Sequence, residues 1–362
     1  MIKCHNLERR FNQVKAQYWE YMHDIVKRET VNNGYYTSNV EQWLTNRSGR
    51  KYALLTNNGS NALLLSMMVY DIGPGDEVII TNYSCPASES YVKTVGATAV
   101  YCDVDETGNM DAVHLESLLS AKTKAVVATG LYGDMHNHAS IQAFTDANGL
   151  YYINDAAQSM FSSRDGVSSL STGEIVCMSF AENKNLPCFG THGALLVDSN
   201  ELFYKLTHLR KHGKPFRTAP YTARGINGVP EEDNAAQIWA STKFVDKWQA
   251  RRHEIAHYYD KEFAKRGVEV RPHHPQWNTH KYAIMFWDKF EAQKALKAQG
   301  VDSEAHYPNA FSSLPRSYRF VKQALSIPMN AHLTDAEVEI VVKKVEKYGK
   351  ARLYKHFRRT FM

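Results

Sequence analysis

The sequence predicts an α/β fold: a mostly parallel sheet between layers of helices, followed by a smaller α+β domain. Three observations predict it. From about residue 50, short apolar runs alternate with helix-length segments, as successive βαβ units require. Glycine and proline punctuate the joints between those segments. After residue 230 the alternation gives way to a long helical stretch and a second, shorter set of elements.

Taken in order, "YALLT" reads as a strand and the run after Gly59 as a helix. "EVIIT" follows the Pro74-Gly75 turn, and a helical stretch then ends near Gly96. "TAVYCDVD" is the next strand, a helix is expected from Asp111, and "KAVVATG" follows. A further helix ends at Gly149, where "LYYIND" begins. Ile175 to Phe180 and Gly193 to Val197 complete the strand-like set. Such strands bury both faces, which is why they are continuously apolar rather than alternating. Their crossovers are expected to be right-handed.

Beyond residue 230, "EEDNAAQIWASTKFVDKWQARRHEIAHYYDKEFAKRG" reads as one long helix, broken or bent, ending at Gly267. "KYAIMFW" is strand-like and "FEAQKALKAQG" helical up to Gly300. The last helix starts at Thr334 with Glu337 three residues on, the pattern of a capping box, and its apolar stripe is Val338, Val341, Val342 and Val345. These changes put the expected boundary near residue 245. They divide the chain into a large domain, 1–245, with an N-terminal helical segment, and a small α+β domain, 246–362.

Composition narrows the class. The 362 residues suffice for a large core, and apolar, aromatic and charged fractions are those of an ordinary globular protein. No apolar run is long enough to span a bilayer, and "MIKCHNLERRFNQ" lacks the apolar stretch of a secretory signal, so a cytoplasmic protein is expected. Five cysteines (Cys4, Cys85, Cys102, Cys177, Cys188) show no zinc or disulfide spacing and are expected as reduced thiols. His273-His274 lacks partners at ligand spacing, so no metal is expected. The net charge of +5 collects partly in the tail through Lys347, Lys350, Arg352, Lys355, Arg358 and Arg359. A solvated end or a subunit contact explains such a tail better than a nucleic-acid patch does, and neither nucleic acid nor membrane is expected as a partner.

In a parallel α/β sheet, functional groups gather at the carboxyl ends of strands. Three candidates fall there. Gly59-Ser60-Asn61 opens a helix after "YALLTNN", where amides and a hydroxyl can hold a phosphate. Asp155 ends "LYYIN", and Lys184 follows "IVCMSF". Singly, these are an ordinary turn, a helix cap and a surface lysine. Together they are what pyridoxal 5′-phosphate needs: a lysine for its aldehyde, a carboxylate for its ring nitrogen and a cradle for its phosphate.

The chain resembles the DegT/DnrJ/StrS family of sugar-nucleotide aminotransferases, which have the aspartate aminotransferase fold (fold type I). "NNGSNALLLSM", "IGPGDEVIITNYSCPAS", "GATAVYCDVDETGNMD", "GLYYINDAAQSM", "SFAENKNLPCFGTHGALL" and "GINGVPEEDNAAQI" carry the likeness, with "DAAQS" and "SF...K-N-L" the most specific. The resemblance implies a seven-stranded sheet in the large domain and a homodimer with shared sites. It implies that Lys184 forms the Schiff base and moves the proton, and that Asp155 pairs with the ring nitrogen. Gln158 would bond the ring-hydroxyl side. Ser60, Ser179 and the amides around Gly59 and Asn61 would hold the phosphate, and Asn227 would reach the phosphate of the neighbouring subunit's cofactor. The implied reaction moves an amino group from glutamate to a nucleotide-linked keto sugar, with His192 and Tyr307 on the substrate side.

Departures from the family pattern cluster at that substrate side. "NYSC" offers Cys85 where an aromatic side chain usually stacks on the cofactor, so the thiol, Tyr83 or another residue must cover the ring. Gly228 and Val229 follow "GIN" in place of an aromatic and an arginine, and "HYPNAF" has Phe311 in place of a histidine. Two alternatives remain at this level. A sugar-nucleotide dehydratase on the same fold would carry histidine at the lysine position, which Lys184 opposes. A non-catalytic cofactor-binding or nucleic-acid-binding regulator would have to rely on the basic tail, since no DNA-binding segment precedes residue 50.

Overall fold

A computed structural model describes residues 1–214 and 224–360, with residues 349–360 described by backbone alone. The basic side chains from Lys350 to Arg359 therefore lie outside the described residues. Two helices not resolved individually in the sequence come first, α1 (Leu7–Arg28) and α2 (Tyr35–Ser48). Alternation then begins: β1 (Tyr52–Thr56), α3 (Gly59–Met68), β2 (Glu77–Thr81), α4 (Pro86–Thr94) and β3 (Thr98–Cys102). It continues with β4 (Thr123–Thr129), α5 (His138–Asn148), β5 (Tyr151–Asp155) and a short hairpin, β6 (Ser163–Arg164) and β7 (Val167–Ser168). β8 (Ile175–Ser179), β9 (Gly193–Val197) and α6 (Asn200–Leu209) follow.

Seven strands form one sheet in the order β1-β9-β8-β5-β4-β2-β3. Only β9 runs antiparallel to its neighbours, with Gly193 opposite Thr56 of β1 and Ser179 of β8. Because successive side chains point to opposite faces, adjacent strand residues feed different cores. Leu55, Val176 and Leu196 pack under α1, α2 and the later helix α7 (Glu232–Thr242). Leu54, Ile80, Val127 and Ile153 pack under α3, α4 and α6. The fold is therefore the expected three-layer α/β arrangement.

The expected helix from Asp111 is absent. Asp111 Oδ1 accepts the Val113 amide at 3.0 Å, which turns the chain on itself, and a single 3-10 turn at Leu115–Leu118 is all that follows. The long helix after residue 230 is two helices, α7 and α8 (Val245–Arg266), parted at Lys243-Phe244. The remaining elements are β10 (Tyr282–Met285), α9 (Lys289–Ala298), α10 (Pro315–Gln323), β11 (Ala324–Ile327) and α11 (Asp335–Thr360). β10 pairs antiparallel with β11. Tyr259, Phe263, Leu296, Val338, Val341, Val342 and Val345 fill the core between this pair and its helices. The capping box on α11 forms as expected, with Thr334 N donating to Glu337 Oε2 at 2.8 Å and Glu337 N to Thr334 Oγ1 at 3.2 Å. A cap contributes about 1 kcal/mol, and each buried valine about 1.5–3 kcal/mol, so packing rather than capping fixes the helix.

One further cluster joins the sheet's upper edge to the β10–β11 pair. Tyr83, Leu131 and Tyr132 pack on Ala283, Met285 and Phe320. Above it, Asn82 Oδ1 accepts from Ser312 N at 2.8 Å and Asn82 N δ2 donates to Ser312 O at 3.0 Å, fastening the 306–312 segment over the β2–α4 loop.

Candidate active site

The carboxyl ends of β1, β4, β5 and β8 open toward one another, and the three groups singled out from sequence lie there. The β1–α3 turn is built by close approach. A Cβ on Gly59 would stand 2.8 Å from Ser179 Cβ, and one on Gly193 would stand 2.5 Å from Asn58 O. Only glycine lets the turn lie against the β8–β9 ends, which brings Ser60 and Ser179 to one place. Asn58 Oδ1 caps the helix by accepting Asn61 N at 2.6 Å, and Asn61 Nδ2 donates to Asn57 Oδ1 at 2.7 Å. The Asn61 amide is thus spent within the chain. Of the expected cradle, the Gly59 and Ser60 amides and the Ser60 hydroxyl remain at the positive helix end.

Asp155 is buried, at 3% exposure. Its Oδ2 accepts from Thr129 Oγ1 at 3.3 Å and its Oδ1 from Ala157 N at 3.1 Å. Burial raises its pKa, opposed by the Ala157 amide, the Lys184 charge and Thr129. Parallel pairing sets Thr129 beside Asp155, and Asp155 beside Cys177 two residues before the end of β8. Thr129 was not singled out from sequence, although aligning the ends of "KAVVAT" and "YYIND" would have found it.

Lys184 sits in the turn after β8, where its own amide donates to Ala181 O at 2.9 Å. The residue is half-buried, yet burial of the ammonium is the main influence on it and lowers its pKa, partly offset by Asp155 and then Cys85. The two charges therefore feel each other across the strand ends. Neighbouring groups pin the turn. Arg10 Nη1 donates to Glu182 O at 2.6 Å, and Asn185 Nδ2 donates to Asn278 O and to Gln249 Oε1, both at 3.0 Å. An amine whose pKa is lowered by burial, held in a fixed turn, is equipped for nucleophilic and proton-transfer chemistry.

Gln158 lies on the same floor. Its Oε1 accepts Tyr132 N at 3.0 Å and its Nε2 donates to Tyr307 OH at 2.5 Å. Tyr307 adopts a left-handed backbone, φ +52°, and meets Tyr83 edge-on at 5.2 Å between ring centroids. Tyr83 is fully buried, its hydroxyl shared with Tyr132 OH at 2.8 Å and His306 O at 3.1 Å. It is too committed to turn over a cofactor. Cys85 is exposed at the start of α4, and its charge would act on both Lys184 and Tyr307.

The structure also places His192 and Asn227. His192, expected at the substrate mouth, is fully buried; its Nδ1 lies 2.7 Å from Thr191 O and 3.6 Å from Glu231 Oε2. Burial lowers its pKa, which keeps the imidazole neutral inside the protein. Asn227 is exposed, and its carbonyl accepts Asn57 Nδ2 at 3.2 Å, so its main chain lies against the β1–α3 turn of its own chain. The residues present fit pyridoxal 5′-phosphate: a glycine cradle that a Cβ would fill, a buried carboxylate with only two neutral donors, and a lysine with a lowered pKa facing it.

The model of the DegT/DnrJ/EryC1/StrS aminotransferase family matches residues 12–346. A pleiotropic regulatory protein of Geobacillus stearothermophilus is 28% identical, over 97% of this chain and 98% of its own. A UDP-2-acetamido-2-deoxy-3-oxo-D-glucuronate aminotransferase of Pseudomonas aeruginosa is 30% identical, over 83% of this chain and 88% of its own. The structure of DesV from S. venezuelae, solved in complex with a ketimine intermediate, superposes with a TM-score of 0.90 at 26% identity, over 96% of this chain and 98% of that one.

Proposed function

The chain belongs to the DegT/DnrJ/EryC1/StrS aminotransferase family, and from that premise we propose that it moves an amino group from L-glutamate to a nucleotide-linked keto-deoxy sugar, with the keto group at C-3 or C-4. The observation that carries the reading is the pairing of buried Asp155, at the end of β5, with Lys184 in the turn after β8, each charge shifting the other. The sugar-nucleotide names of relatives support the substrate class.

Pyridoxal 5′-phosphate, when bound, supplies an aldehyde for covalent capture of amines and a ring that spreads the charge left when a proton leaves carbon. The chain does the rest. Ser60, Ser179 and the Gly59 and Ser60 amides bind the phosphate. Asp155, held by Thr129 and the Ala157 amide, would pair with the ring nitrogen and favour a proton there. Gln158, bonded to the Tyr307 hydroxyl, would orient the ring-hydroxyl edge. Lys184, its ammonium destabilised by burial, takes the α-proton of glutamate and later returns a proton to the sugar carbon. Fixed side chains in place of bulk water keep these proton transfers at the intended atoms.

Asn227 stands exposed beside the phosphate turn, which suits a role at the boundary of a homodimer in which each subunit completes the other's site. Among the described residues no helix is long and apolar enough to cross a membrane, and a cytoplasmic enzyme is the matching location. The test is spectroscopic. Holoprotein given glutamate should exchange the visible absorption of the pyridoxal form for the near-ultraviolet absorption of the pyridoxamine form, and Lys184→Ala should not. A screen of UDP-, dTDP- and GDP-linked keto sugars then reads the second half. A protein that takes up the cofactor and ignores every amino donor would be a binding protein, and the proposal would fail.

A further inference from the structure

Beside the Lys184 turn, two buried guanidinium groups line one cleft with no carboxylate bonded to either among the described residues. Arg10, on α1, is 6% exposed, and Arg252, on α8, is 7% exposed. Arg10 donates only to main-chain oxygens, to Glu182 O at 2.6 Å and Cys188 O at 3.4 Å. Arg252 Nη1 likewise serves the carbonyls of Thr279, His280 and Met329, between 3.0 and 3.4 Å. Burial pushes both down to about 10, and for Arg252 the second influence is repulsion from Arg10. A buried charge ordinarily has a charged partner; a pair of like charges without one is an unsatisfied arrangement.

The two arginines line one small cleft together with His5, His332, Lys184 and Asn185. Positive charge converges there: His332 is pushed down to about 4 by burial and by Arg252, Arg10 and Arg9. Its Nδ1 is buried and without a partner, as is Asn183 Oδ1, which also belongs to the lining. One carboxylate borders the cleft, that of exposed Glu182, and it acts on Arg10 through its charge without an ion-pair contact. A planar guanidinium presents paired donors matched to a carboxylate.

We propose that this cleft is a binding site for a small carboxylate, held between Arg10 and Arg252 against the Lys184 turn. The carboxylate has two possible sources, the amino donor itself or a free organic acid, and the recognising chemistry is the same for both. The site stands on the arginine pair and not on amino transfer, so its test needs no turnover.

The full-length protein loaded with pyridoxal 5′-phosphate is melted in rising acetate at fixed ionic strength, balanced with a bulky sulfonate. The expected result is a saturating rise in melting midpoint of about 2 °C or more, abolished in Arg10→Gln. Glu182→Gln, an exposed change that leaves folding intact, removes the competing carboxylate and should lower the half-saturating acetate concentration about threefold. If acetate also raises the KM for glutamate competitively, the donor's carboxylate is the occupant; stabilisation without competition assigns a free acid, and both support the site. An equal response to acetate and sulfonate, or half-saturation unmoved by Glu182→Gln, would overturn it.

Discussion

Replacing Asp155 by asparagine should separate function from stability in a direction that few buried substitutions share. The carboxylate is 3% exposed and bonded only by the Thr129 hydroxyl at 3.3 Å and the Ala157 amide at 3.1 Å. Asparagine keeps the shape, its oxygen can accept the Ala157 amide, and the Thr129 hydroxyl can turn to accept its NH₂. What disappears is the charge opposite Lys184 and the cofactor nitrogen. Losing one preorganised electrostatic group at a reacting centre costs about 2.7–4 kcal/mol, and at about 1.36 kcal/mol per decade amino transfer should fall about 10²- to 10³-fold. The sign for folding is the reverse. A carboxylic acid whose pKa is raised in the folded state contributes stability below its unfolded pKa and loses it as pH rises through the folded value. At neutral pH the charged Asp155 is therefore a burden on the cofactor-free fold. Cofactor-free Asp155→Asn should melt no lower than wild type. The assay is the glutamate half-reaction by absorbance, paired with melting of both proteins without cofactor. Transfer within fivefold of wild type would refute the assigned role. A large drop in melting would make Asp155 a structural residue instead.

Two other outcomes follow from the same geometry. Gly59→Ala puts a Cβ 2.8 Å from Ser179 Cβ and 3.0 Å from Met178 O, an overpacking worth about 1–3 kcal/mol; melting should drop and cofactor affinity should weaken in an equilibrium titration, because the phosphate turn has moved. Glu304 gathers Lys281 at 2.7 Å, His5 at 2.8 Å and His306 at 2.9 Å, which together hold its carboxyl well below the usual range. A depressed carboxylate contributes stability that is lost as pH falls, and His306, pushed down to about 4 by burial, opposes protonation in the same direction. Resistance to chemical denaturation should therefore fall from about pH 6.5 toward pH 4. Glu304→Gln should flatten the acid limb and cost about 3 kcal/mol at neutral pH, since it strands the buried ammonium of Lys281.

Sequence reasoning reached the strand ends because parallel α/β sheets announce themselves in apolar runs closed by glycine, and because Asp155 and Lys184 each stand where such a run stops. It read the α11 cap and stripe for a similar reason, since both are local. Interactions made by side chains over short range defeated it elsewhere. Asp111 captures the Val113 amide and ends a helix before it starts. Asn58 captures the Asn61 amide and removes one donor from the phosphate cradle. His192 was placed on the substrate side, yet the β8–β9 pairing carries it inside, where Phe180 N donates to its carbonyl at 2.7 Å. The meeting of Arg10 and Arg252 in one cleft lining, 242 positions apart in the chain by subtraction of their numbers, has no local signal at all.

Borohydride reduction of the holoprotein, followed by peptide mass mapping, tests the central claim most directly, because it fixes the cofactor to whichever amine holds it. The account predicts one pyridoxyl adduct, on the peptide carrying Lys184, and none in Lys184→Ala. An adduct on another lysine, or no adduct on a protein that had bound the cofactor, would contradict it.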